Sequence, residues 1–299
     1  MRIVVLGAAA GGGFPQWNSN GVGCRRARAG DRAAQPRTQS SLAVTGNDEG
    51  WTLINASPDL REQIGRSPFL RPRTGLRSSP IDSVVLTGGD VDAIAGLLTL
   101  RERQTFTLFA TSKVQDVLEA NPIFEVLARE VVQRERAALG VPFRLGSGLT
   151  IELFAVPGKT PLYLEEDDAP AITVDETTVA AAICDGRSTA FFVPGCAFMT
   201  PQLADRLRGA DLVFFDGTLW RDDEMIIQGL GSKTGRRMGH MSIGGPNGVM
   251  AAFVGLGVKR KIFIHLNNSN PVLLDDTPER HEVEAAGWEV SHDGLEIAL

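Results

Sequence analysis

The chain has 299 residues, 43% hydrophobic and 22% charged, the balance of an ordinary globular protein long enough to bury a large core as one large or two small domains. Its formal net charge is −6, with no basic tail and no aromatic-interleaved lysine stripe, which argues against a nucleic-acid partner. No apolar run reaches the roughly 18 residues that span a bilayer, and the apolar core of Met1 to Gly7 is too brief for a signal sequence, so the expectation is no membrane association and a cytoplasmic location.

In chain order, Arg2–Leu6 reads as a buried strand running into the glycine-rich loop Gly7–Phe14. Pro15 follows at once, so no G-x-G-x-x-G opens a helix. The glycines are expected to let backbone line a cleft or pass close to another strand rather than cradle a dinucleotide. Residues 18–40 are polar and arginine-rich and predict a surface excursion. Arg25, Arg26, Arg28, Arg32 and Arg37 there form either a solvated face or a docking surface for an acidic peptide. Ser40–Val44 and Trp51–Asn55 flank a turn composition and predict a hairpin. A short helix is expected from about Leu60, with Ser57 as its cap and Pro58 in its first position.

The stretch Ile81–Leu100 organises the rest. Ser83–Leu86 is strand-like, Gly88 and Gly89 break it, and Ile94, Leu97, Leu98 and Arg101 fall at helical spacing. Asp90 and Asp92 then either cap a helix N-terminus or open a metal site at the end of a buried strand. Further on come a strand at Phe106–Ala110, one or two helices over 111–139, and strands at Leu149–Val156, Thr178–Ile183 and Thr189–Val193, with a charged loop at Leu164–Pro170. A capped helix at Thr200–Leu207, a strand at Asp211–Phe215, a helix near Gly248–Leu256 and a strand at Lys261–His265 follow. Helix 277–286 and a strand pair, Trp288–His292 with Leu295–Leu299, close the chain. Such a list supports two mixed sheets flanked by helices in a single domain, 1–299.

Three apolar strands end in polar residues that are expected at one edge: Asp90 and Asp92, Asp216, and His265. Strand ends of this kind commonly carry sites. His240 is a fourth candidate. Cys24, Cys184 and Cys196 are odd in number and far apart, which argues against a disulfide framework.

Several long motifs point further: Leu6–Asn18 (LGAAAGGGFPQWN), Pro36–Ser41 (PRTQSS), Asn55–Asp59 (NASPD), Ala95–Arg101 (AGLLTLR), Phe215–Thr218 (FDGT), Thr234–His240 (TGRRMGH) and His265–Pro271 (HLNNSNP). With these the chain resembles, nearly from end to end, the pyrroloquinoline quinone biosynthesis protein B family of the metallo-β-lactamase superfamily. The resemblance implies an αββα sandwich with a metal site in the cleft between the sheets. It also implies a part in maturing a redox quinone from a glutamate–tyrosine pair, as an Fe(II)-dependent oxygenase that hydroxylates the tyrosine-derived ring. Histidine and carboxylate ligands with open positions suit Fe(II). The expected metal ligands are Asp90, Asp92, Asp216 and His265, and the expected catalytic residues Asp92, His240 and Arg237. Arg236, Asn268 and Ser57 are expected to bind cofactor or substrate, the guanidinium forks suiting a substrate with several carboxylates.

Two departures from the family touch metal. Its Asp-His pair after the central strand is Asp92-Ala93 here, and of its Cys-x-Cys-x-x-Cys only Cys24 remains, too few donors for a structural zinc. An active oxygenase therefore competes with a divergent protein that binds the quinone, its precursor or a partner without turnover, in a carrier or transport role. A generic metallo-hydrolase is disfavoured because H-x-H-x-D-H is replaced by Gly88–Ala93 (GGDVDA). The expected partners are a dipeptide-like precursor, other proteins of the same biosynthesis and a second copy of the chain as a homodimer.

Overall fold

Alternating apolar residues set the layers of the fold. The computed structural model describes residues 1–165 and 172–299, so residues 166–170 of the predicted charged loop lie outside the described residues. One sheet is built from β1 (Arg2–Gly7), β2 (Ser41–Thr45), β3 (Trp51–Ile54), β4 (Ile81–Val85), β5 (Phe106–Ala110) and β6 (Val132–Arg136). The next strands are β7 (Phe143–Arg144), β8 (Thr150–Gly158), β9 (Thr173–Cys184), β10 (Thr189–Val193), β11 (Leu212–Asp216), β12 (Arg260–Ile264), β13 (Glu289–Val290) and β14 (Glu296–Ala298). The two seven-stranded sheets run β14-β1-β2-β3-β4-β5-β6 and β13-β12-β11-β10-β9-β8-β7. The first is parallel from β3 to β6 and the second from β10 to β13, the remaining neighbours being antiparallel.

Strand side chains alternate between faces. Ile3 and Val5 of β1 therefore point inward and pack with Leu153, Phe192, Phe214 and Ile264 between the sheets. Val4 and Leu6 point outward, against Leu60, Leu97 and Leu118 of the covering helices. On the second sheet Phe214 faces inward, whereas Phe215 and Phe263 face out onto Phe253, Val283 and Trp288. Burying a side chain of this size contributes about 1.5–3 kcal/mol, so two helix–sheet cores and one sheet–sheet core hold the αββα sandwich together.

At one edge the loops leaving the strands tie the two sheets together. The Leu266 amide donates to the Ala8 carbonyl at 3.0 Å and the Ala10 amide to the Leu266 carbonyl at 2.8 Å, while Gly88 bridges to Thr178. The candidate site lies at this edge.

Four local expectations are corrected. Segment 111–139 holds the helix Ser112–Ala120 and the 3-10 helix Pro122–Val126, but its end, Val132–Arg136, is the edge strand β6 rather than helix. Its charged residues mimic a helical period, yet charge is what a solvent-facing edge strand carries. The closing strands do not pair with each other, since β13 joins the second sheet and β14 the first. The segment near Gly248–Leu256 is helical only over Val249–Ala252. Residues 18–40 contain helix Val22–Arg28 with a buried Cys24, and most of their arginines are already engaged: Arg26 binds Asp31 and Asp276, Arg28 binds the Ser19 carbonyl, and Arg37 is buried. Burial pushes the Arg37 guanidinium down to about 10, the nearby Arg280 charge adding to the effect.

Candidate metal centre

The site is assembled around Asp216, the fully buried last residue of β11. Its Oδ2 accepts from the Cys196 amide at 3.0 Å and faces His240 Nδ1 at 2.9 Å. Its Oδ1 accepts from the Thr218 amide at 3.0 Å and the Thr218 hydroxyl at 2.6 Å. A carboxylate removed from water needs partners of this kind, and here they also fix its direction. The turn carrying them requires Gly217, because a Cβ there would come within 2.8 Å of the Phe263 Cβ.

His265 leaves β12 with a left-handed backbone, φ 60°, unusual for a residue with a side chain. That bend brings its ring to a stack with His240, centroids 5.2 Å apart. Its Nδ1 lies 2.8 Å from the Thr218 hydroxyl and its Nε2 lies 2.8 Å from Asp92 Oδ2. The Thr218 hydroxyl is within bonding distance of Asp216 Oδ1 at 2.6 Å and of the His265 carbonyl at 3.0 Å as well as of the His265 ring, so it ties the imidazole to Asp216 while Asp92 holds the other ring nitrogen. Burial alone would lower the His265 pKa, but the bond to Asp92 and its charge outweigh burial and raise it. Asp92 shows the reciprocal effect: burial raises its pKa, and His265 more than reverses this. Asp90 is raised, by burial and then by the neighbouring charge of Asp92.

One ligand atom each from Asp216, His240 and His265 lies within 4.8 Å of the others, and Asp92 touches the same imidazole. Nitrogen and carboxylate oxygen donors so close together fit a divalent transition ion. Ligand nitrogens must be deprotonated, so a cation at His265 would compete with the hydrogen bond to Asp92.

Asp92, His240 and His265 line a cavity of about 560 Å³ whose walls also include Asp90, Ala93, Lys159, Glu165, Thr218 and Lys233, whereas the fully buried Asp216 is not part of the wall. Thus Asp92, Asp216, His240 and His265 converge, and Asp90 lies on the same cavity, its Oδ1 3.9 Å from Lys159 Nζ. Asp90 stands at the N-cap of the short helix Val91–Ile94 and Asp92 in its first turn, but the Asp90 side chain makes no cap hydrogen bond.

The expected binding residues are corrected. Arg236 and Arg237 are exposed and lie off the cavity wall, the Arg236 guanidinium covering the Phe198 ring at 5.4 Å. Ser57 is buried and donates to Gln63 Oε1 at 3.1 Å, so it neither caps the helix nor reaches the cleft. Asn268 turns away, donating to Gln16 Oε1 at 2.5 Å, with Cys24 Sγ at 3.6 Å. The cations that face the cavity are Lys159 and Lys233, both paired with Glu165. Lys159 and Lys233 are far apart in sequence and follow no motif, so no pattern could have named them, whereas Thr218 stood in the Phe215–Thr218 motif.

A family model for the beta-lactamase superfamily domain matches residues 50–266. The chain is 60% identical over 302 residues to coenzyme PQQ synthesis protein B of Gluconacetobacter diazotrophicus, covering 99% of this chain and 98% of the relative. It is 54% identical over 300 residues to the protein of the same name from Xanthomonas euvesicatoria, covering all of both. The chain belongs to the coenzyme PQQ synthesis protein B family. A crystal structure of another member, zinc-bound PqqB from Methylobacterium extorquens, superposes with a TM-score of 0.98 at 49% identity and full coverage of both chains. A diphosphatase of the PhnP family superposes with a TM-score of 0.70 at 21% identity, covering 99% of this chain and 97% of its own, which is a likeness of fold alone. The PQQ synthesis B family thus places this chain in the metallo-β-lactamase fold, as its strand order does. Among the described residues no helix is long and apolar enough to cross a membrane.

Proposed function

We propose that the protein acts in the biosynthesis of pyrroloquinoline quinone as a metal-dependent oxygenase, with Fe(II) as its metal and the tyrosine-derived ring of a glutamate–tyrosine precursor as its substrate. The observation that carries this reading is the convergence of Asp216, His240 and His265, with Asp92 on the His265 imidazole and His240, His265 and Asp92 lining one cavity. Family membership supports the pathway, and the donor set suits an iron site that leaves positions open. Such an ion would supply activation of dioxygen; one oxygen atom enters the ring and the other leaves as water, with an electron pair and protons from an external reductant.

The chain's own residues do the rest. Thr218, whose hydroxyl lies 3.0 Å from His240 Nδ1 and 2.8 Å from His265 Nδ1, holds both imidazoles in fixed orientations, which is how outer partners tune a metal site. Asp92 stays a carboxylate beside His265 Nε2, and the proton between them would leave to solvent if a cation were bound. Lys159 and Lys233 offer ammonium groups to the carboxylates of the precursor, exchanging Glu165 for them.

A second reading, binding of the quinone or its precursor without turnover, is favoured by one observation: the cavity wall next to Asp92 ends in the methyl of Ala93. Anaerobic loading with Fe(II), followed by oxygen uptake with a glutamate–tyrosine dipeptide and ascorbate, separates the two. Iron-dependent uptake with a hydroxylated product supports the oxygenase. Saturable binding of the dipeptide with no oxygen uptake by iron-loaded protein supports the carrier.

A further inference from the structure

We propose that Glu165 is an internal competitor for the carboxylate site of the cavity: it occupies the Lys159 and Lys233 ammonium groups, and a ligand with two or more carboxylates binds by displacing it. The inference rests on reading Lys159 and Lys233 as the groups that meet the carboxylates of the precursor, and it adds a regulation of that site by the chain itself.

Glu165, Lys159 and Lys233 all line the cavity. Glu165 Oε1 lies 3.3 Å from Lys159 Nζ, and its Oε2 meets Lys233 Nζ. The Glu165 side chain is 10% exposed, so the two ammonium groups share a largely desolvated carboxylate. Asp90 Oδ1 stands farther from Lys159 Nζ, at 3.9 Å, and the Thr160 carbonyl accepts one of the ammonium hydrogens at 3.0 Å. Lys159 directly follows β8, and the turn Leu162–Leu164 brings Glu165 back to it. That turn is fastened to the loop that carries Asp90 and Asp92. The Tyr163 hydroxyl donates to the Gly89 carbonyl at 2.7 Å, and a Cβ on Gly89 would come within 3.4 Å of the Pro161 ring.

Two ammonium groups converging on one carboxylate are what a carboxylate-bearing ligand would also use, through charge-assisted hydrogen bonds. The chain's own carboxylate differs from the ligand's only in being tethered. Burial would raise the Glu165 pKa, but the bonds to Lys233 and Lys159 outweigh burial and lower it, so the competitor carries a full charge at neutral pH. A tethered group competes at an effective concentration on the order of mM. A ligand with one carboxylate therefore gains little by replacing Glu165, whereas a ligand with two can replace it with the first and use the second elsewhere on the pair. The class of ligand that follows is a dicarboxylate or polycarboxylate.

The test titrates the full chain with glutarate by calorimetry, using glutaramide as the uncharged counterpart. Glu165→Gln keeps the length of the side chain and removes its charge. This variant is expected to bind glutarate roughly three- to ten-fold more tightly than wild type, the scale of two partly exposed ion pairs, and glutaramide no better. Glu165→Ala should show the same gain, which keeps the outcome independent of any folding defect in the glutamine variant. Adding Lys233→Met to Glu165→Gln should abolish the gain. The inference is overturned if Lys159→Met and Lys233→Met weaken glutarate binding, as the carboxylate reading requires, and yet neither Glu165 variant binds glutarate more tightly than wild type. If the two lysine variants bind glutarate as wild type does, or if no variant binds it, the reading of the lysines falls and the inference falls with it.

Discussion

His265 Nε2 and Asp92 Oδ2 stand 2.8 Å apart although 173 residues separate them, so the loops leaving β4 of one sheet and β12 of the other are joined by one charged hydrogen bond. Asp92→Asn keeps the shape and removes the charge. We predict that the His265 pKa, raised by Asp92 against its burial, falls in this variant, while metal affinity drops by roughly ten-fold or more. The four histidines of the chain are few enough to follow by proton NMR during a pH titration. An unchanged set of four midpoints would refute the coupling.

The backbone at His265 carries a prediction of its own. At φ 60° asparagine is tolerated and a β-branched residue is not. His265→Val should therefore unfold at a lower urea concentration than His265→Asn, by about 1–2 kcal/mol of stability, although both variants lose the imidazole. Equal urea midpoints would show that the left-handed turn costs nothing.

Much of the fold was legible because it is written locally. The β-branched run Ile3, Val4 and Val5 marks a strand, and the alternation of its side chains between two cores gives the strand its two faces. The polar ends at Asp92, Asp216 and His265 were legible for the same reason, each following an apolar run. Lys159 and Lys233 were not, since a lysine outside a motif has no local signature and reaches the cleft only through the pairing of distant strands. Arg236 and Arg237 misled in the opposite way: two adjacent guanidinium groups look like a recognition element, but the turn before His240 points that chemistry outward, over Phe198. The edge strand Val132–Arg136 failed because Arg134 and Arg136 bind Glu125, Asp116 and Glu119 across its rim, a pattern that in sequence looks like a charged helix face.

Ala93 lies beside Asp92 on the cavity wall and is 7% exposed. Ala93→His would add an imidazole to the donors already there. We predict a higher metal content after anaerobic loading and at least about ten-fold tighter metal binding, the scale on which even outer-shell changes act. Metal analysis after dialysis against a chelator reads this directly, and a variant that retains no more metal than wild type would show that residue 93 cannot reach the centre.

Lys159 and Lys233 are predicted to act on substrate binding rather than on the reacting atoms. Replacing either by methionine keeps most of the stem and removes the charge, so KM for a carboxylate-bearing precursor should rise several-fold, on the scale of about 1 kcal/mol for a partly exposed ion pair, with kcat nearly unchanged. A fall in kcat at constant KM would instead put these lysines at the chemical step.

The last prediction concerns acid stability. Asp175 at the start of β9 binds Lys113 Nζ at 2.7 Å and the Thr177 amide at 2.7 Å, which ties the second sheet to helix Ser112–Ala120 on the first. Burial would raise its pKa, but the Lys113 and Thr177 bonds outweigh burial and bring it from 3.8 down to about 2. A carboxyl group whose pKa is lower folded than unfolded adds stability that is complete above its unfolded value and is lost as pH falls towards the folded one. The contribution of Asp175 is therefore present at pH 5 and fades between roughly pH 4 and pH 2. Asp175→Asn should lower the urea midpoint at pH 6, and the gap between variant and wild type should narrow across that acid window. A gap that stays constant from pH 6 to the acid limit of folding would mean that Asp175 does not sense its partners in the folded state.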